Sequence, residues 1–123
     1  MASQLAEHFI LIVESDPPIA LNIGEAFQQV GARVVTSDSV KLALELVEAD
    51  MWSAAVLGPT LSEIDSGPLC ERLNERNIPF LLYVESTPTE GACSGAPSLH
   101  LPAGPGMLVQ TVEDLVQRRS TLH

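Results

Sequence analysis

The run Phe9-Ile10-Leu11-Ile12-Val13 is the feature that most narrows the possible folds of this chain. Five apolar residues in a row, without alternation, describe a strand covered on both faces, and sheets covered on both faces are built from parallel strands joined by helices. The remainder of the chain has that form. Pro17 and Pro18 suit the first turn of a helix, and Ile19, Ile23, Ala26, Phe27 and Val30 recur at helical spacing until Gly31 stops it. Residues 33–36 read as a second strand. Ser39 reads as an N-cap, and Val40, Ala43, Leu44 and Val47 as the inner face of a second helix ending at Asp50. Residues 53–57 form a third strand, 66–77 a third helix with Leu69, Cys70 and Leu73 inward, and 79–84 a fourth strand.

Residues 86–97 carry two prolines and two glycines, so a short turn of helix or a loop is expected there. Residues 98–101 give a fifth strand. Met107, Leu108, Val112, Leu115 and Val116 outline a last amphipathic helix, with Arg118 and Arg119 near its negative end. Strands alternating with helices predict an α/β fold with a doubly wound, five-stranded parallel sheet whose fourth helix is short or missing. At 123 residues the chain has the size of one domain, read as residues 1–123 with a core at about 8–118.

Composition limits the partners. Sixteen acids against six bases give a net charge of −10, which repels nucleic acid and anionic membrane. Five aromatics leave the core to Leu, Val, Ile and Ala. The apolar runs fall far below the roughly 18 residues needed to span a bilayer, and no signal-peptide pattern opens the chain, so a cytoplasmic protein is expected. Cys70 and Cys93 lack metal or redox spacing and are expected to be free thiols, Cys70 buried on its helix and Cys93 exposed and inert.

In such sheets chemistry gathers at the carboxyl ends of the strands, here Glu14-Ser15-Asp16, Gly58, Val84-Glu85 and Leu101-Pro102. The ending Ile12-Val13-Glu14-Ser15-Asp16-Pro17, Gly31 before strand two, Leu57-Gly58 with Asp65 along its loop, Pro79 and Pro102 make the chain resemble a receiver domain of the two-component response regulators, of the CheY-like kind. The resemblance runs from about Phe9 to Arg118 and implies a flavodoxin-like sheet in the order 2-1-3-4-5. It also implies a phosphoryl-accepting aspartate after strand three, two acids holding a divalent metal, a Thr or Ser after strand four and a Lys after strand five.

On those positions the chain carries Gly58 for the acceptor, Glu14 and Ser15 for the metal acids, Val84 for the Thr or Ser and Leu101 for the Lys. An acyl phosphate needs a carboxylate nucleophile, a metal to neutralise incoming charge and a cation to hold the transferred group. Gly58 offers no side chain, and Lys41, the only lysine, falls on the second helix, away from the expected site. Glu14 and Asp16 form a weak candidate pair for magnesium, which is expected to be absent; Asp16 is read as the N-cap of the first helix. His8 is read as structural or surface.

The pattern therefore predicts a degenerate pseudo-receiver that is not an enzyme, since Ser15, Ser62 and Ser86 have no His or Lys placed to activate them. It would act by contact with a histidine kinase or another signalling protein, or with a second copy of itself. The contact face is expected at strand five and the last helix, around His100, Met107 and Val109. An alternative is a sensor whose emptied pocket at Gly58 and Thr60 takes a small ligand or anion.

Overall fold

A computed structural model of the chain describes residues 5–61, 63–84, 91, 93–94, 96–100 and 104–121. Its strands are β1 (Phe9–Val13), β2 (Arg33–Ser37), β3 (Ala54–Leu57), β4 (Phe80–Val84) and β5 (Ser98–His100). The helices are α1 (Pro17–Gln28), α2 (Val40–Ala49), α3 (Glu63–Glu75) and α4 (Pro105–Thr121). All strands are parallel, as the pattern predicts, and they lie in the order β2-β1-β3-β4-β5 that the resemblance implies. Among the described residues between β4 and β5 none is helical.

Alternate residues of the central strands point to opposite layers, which is why their sequences are apolar throughout. Ile10, Ile12, Ala54, Val56, Leu81 and Tyr83 face α1 and α4, where Ile23, Phe27, Leu108 and Val112 meet them. Leu11, Val13, Ala55, Leu57, Phe80 and Leu82 face α2 and α3, against Val47, Leu69 and Leu73. Trp52, just ahead of β3, is buried in this second layer. Its indole N–H donates to the Leu46 carbonyl at 2.8 Å, and its ring meets Phe9 edge-on at 5.7 Å.

The helix ends follow from their residues. Asp16 caps α1 by accepting from the Ile19 N–H at 3.2 Å, and Ser39 caps α2 by accepting from Leu42 N–H at 3.1 Å. After α1 the chain turns through Gly31 at φ 88°, a left-handed conformation that costs glycine little. After α3 it turns through Asn77 at φ 58°, asparagine being among the few residue types other than glycine that adopt this conformation readily. In each case the next N–H, of Ala32 or Ile78, returns to a helix carbonyl.

The cysteine reading is corrected. Cys70 on α3 and Cys93 ahead of β5 form a disulfide, with Cα atoms 5.3 Å apart, and no described cysteine is free. Nor is Cys93 exposed, being 5% accessible. Twenty-three residues of sequence separation carry no distance information, whereas the strand order carries the chain out of β4 and back beside the inner face of α3. On the outside, Glu48 of α2 binds both Arg72 of α3 and Arg76 just after it, the latter at 2.9 Å.

Candidate functional site

The carboxyl ends of β1 and β3 lie side by side, with Val13 paired to Leu57, and the residues beyond them meet. The Gly58 N–H donates to the Val13 carbonyl at 2.8 Å, extending the ladder one step past the strand. Glu14 begins the β1 loop with its N–H bonded to the Ser37 carbonyl at 2.9 Å and is 1% exposed.

Burying a carboxylate is costly unless donors surround it, and here they do. Glu14 Oε1 accepts from the Asp16 N–H at 3.2 Å and from the Thr60 hydroxyl. Oε2 accepts from the Thr60 N–H at 3.3 Å. The Thr60 proton being committed to Glu14, the Ser15 hydroxyl 2.6 Å away is the donor of the Ser15–Thr60 bond.

The space beside Gly58 is occupied. A Cβ placed on Gly58 would fall 2.1 Å from Glu14 Oε2, 2.7 Å from its Cδ and 2.9 Å from its Cβ. Glycine at this strand tip thus makes room for the glutamate as well as lacking a group to phosphorylate. This pairing lay beyond sequence reasoning; the only trace was a glutamate next to a short apolar strand whose partner strand ended in glycine.

The other expected residues are partly brought together. Ser15 is at the site through Thr60, and Asp16 contributes its N–H while its carboxylate caps α1. Val84 lies half-buried at the end of β4, paired with His100. Leu101 and Pro102 lie outside the described residues, as do Glu85, Ser62 and Ser86.

Lys41 is nearer than expected. It lines a groove of ≈560 Å³ with Ser15, Asp38, Ser39, Thr60 and Leu61, because α2 starts from the same edge of the sheet at which β1 and β3 end. Away from this site, His100 and Met107 are exposed, whereas Val109 is buried against the α1 side of the core. Val109 therefore offers no contact surface, since it falls on the inward phase of α4 beside Leu108 and Val112. His8 is half-buried, its Nδ1 2.8 Å from the Ser53 hydroxyl.

The donor set does not fit the magnesium ion of receivers. Glu14 already accepts three hydrogen bonds, Ser15 is neutral, and Gly58 has no carboxylate. Among the described residues no three His, Cys, Asp or Glu side chains gather as metal ligands, and no helix is long and apolar enough to cross a membrane.

No protein-family model matches the sequence, and no curated protein is significantly similar to it. Solved structures do match. A CheY-like response regulator receiver domain protein from Methanospirillum hungatei JF-1 superposes with a TM-score of 0.82 at 16% identity, covering 96% of this chain and 100% of that one. The chain has the receiver fold. A response regulator receiver protein from Sinorhizobium medicae WSM419 gives a TM-score of 0.80 at 18% identity over 92% of this chain and 97% of that one. The chemotaxis response regulator CheY4 of Vibrio cholerae gives 0.75 at 18%, over 89% and 99%.

Proposed function

We infer that this chain is a pseudo-receiver, a domain of two-component or related bacterial signalling that accepts no phosphoryl group and acts by protein contact, without catalysis. One observation carries the reading: the carboxylate of Glu14 lies where a side chain at position 58 would begin, held by Thr60 and by the Asp16 N–H. A phosphoryl group has neither an acceptor at that position nor room to enter, while the whole sheet that displays the domain's surfaces is kept.

The contact face in this reading is β5 with the start of α4, where His100 and Met107 are exposed, and its partner is a histidine kinase, another signalling protein or a second copy. A sensor using the pocket beside Gly58 has less support, because Glu14 fills that space. The test is intact mass measurement after incubation with acetyl phosphate and magnesium. The expected spectrum is unchanged; a phosphoryl adduct on any residue of the folded protein overturns the reading.

A further inference from the structure

The described residues of segment 91–97 hold mainly to one another. Ser94 bonds through its N–H and hydroxyl to the Gly91 carbonyl at 3.1 and 2.7 Å, and the Ala96 N–H reaches the Cys93 carbonyl at 3.4 Å. At its far end the Pro97 carbonyl accepts from the Leu82 N–H at 2.9 Å. Between these, Cys93 ties the segment to α3 through the bond to Cys70, and both cysteines belong to the buried cluster that holds Leu69, Leu73, Ile78, Phe80 and Leu82. A groove of ≈290 Å³ runs beside the segment, lined by Ile78, Phe80, Ser94, Ala96, Pro97 and Leu115.

The site also suits the reduced form. Cys93 Sγ lies 3.6 Å from the Ser66 carbonyl of α3, an oxygen toward which a disulfide sulfur has no proton to donate but a thiol does. Each redox state thus finds a partner for Cys93, covalent in one and a weak S–H donor bond in the other.

We propose that Cys70 and Cys93 are a reversible thiol–disulfide tether that sets how firmly Cys93, Ser94, Ala96 and Pro97 are held against α3 and β4, and so regulates the contact face beside β5. This rests on the contact reading above for its consequence, and on the cysteine geometry alone for its chemistry. In the oxidising direction a small-molecule disulfide such as oxidised glutathione supplies the oxidising equivalents. The Cys93 thiolate attacks one of its sulfurs and expels one glutathione thiolate. Cys70, having lost its proton, then attacks Cys93 Sγ of the mixed disulfide, expelling the second glutathione thiolate as the Sγ–Sγ bond closes. Two protein thiols and one glutathione disulfide become one protein disulfide and two glutathione thiols. Cys93 is the point of entry because it is 5% exposed and Cys70 0%.

The experiment equilibrates the intact folded protein in glutathione buffers of graded redox ratio and traps free thiols with N-ethylmaleimide after an acid quench and denaturation. Adducts are counted by mass, and amide hydrogen exchange over residues 91–100 is followed in each form. The expected result is a single passage from no adducts to two, with exchange across 91–100 at least about tenfold faster in the reduced form and in Cys70→Ser/Cys93→Ser, while β1 keeps its protection. Two adducts at every ratio, a bond reduced only on unfolding, or equal exchange in the two forms would each overturn the proposal. No partner enters the readout, so these outcomes are separate from the fate of the contact reading.

Discussion

At the scale of single residues, Gly58 and Glu14 have to be understood as one feature. Gly58→Ala places a Cβ inside contact distance of Glu14 and is expected to lower stability by roughly 1–3 kcal/mol, because the glutamate must leave its three donors or the backbone must shift. Glu14→Ala costs a similar amount by a different route, leaving the Thr60 and Asp16 N–H groups without their acceptor. Urea unfolding of both variants and of the double variant checks this. The double variant should lose clearly less than the sum of the two, whereas additive losses would mean the residues do not share the space. The sequence carried only a trace of this pairing, since it depends on which way the Glu14 side chain leaves the β1 loop. The glycine alone was legible as a strand tip without a side chain; its steric role was not.

At the scale of elements, the sheet was readable because strands buried on both faces must be apolar at every position, and β1 and β4 are. The caps were readable too, Asp16 and Ser39 being residue types that bond the first free N–H groups. Ser39→Ala should cost about 1 kcal/mol in thermal or chemical unfolding. The disulfide was not readable, as spacing along the chain says nothing about the turn after β4 that brings Cys93 to α3. Val109 was misplaced for a smaller reason, the phase of α4 differing by one residue from the expected outer face. For a closed loop of the 23-residue separation found here, Cys70→Ser/Cys93→Ser is expected to lower stability by about 3 kcal/mol relative to the oxidised protein. The outer link between α2 and α3 behaves differently with acidity. The hydrogen bond from Arg72, aided by the charges of Arg72 and Arg76, holds the Glu48 carboxyl below its ordinary value of 4.5. A carboxyl lowered on folding stabilises fully above its unfolded value and loses that contribution as pH falls through the folded one. Glu48→Gln should therefore flatten the acid limb of a stability–pH curve below about pH 4.5 and leave neutral pH nearly unchanged, the pair being solvent-exposed.

At the scale of the whole molecule, a net charge of −10 on 123 residues opposes self-association. If copies meet through β5 and α4, sedimentation should show the dimer fraction rising as salt goes from roughly 0.01 M to roughly 1 M, where the screening length shrinks from about 30 Å to about 3 Å. A dimer that weakens with salt would point instead to a contact made by opposite charges. The sheet also divides the interior into two layers, one under α1 and α4 and one under α2 and α3, and Trp52 belongs to the second alone. As the only tryptophan, it makes that layer luminous, and excitation at the red edge of indole absorption keeps Tyr83 of the other layer dark. Its emission followed beside far-ultraviolet ellipticity, to which helices of both layers contribute, would show whether the halves of the protein come apart together or in turn.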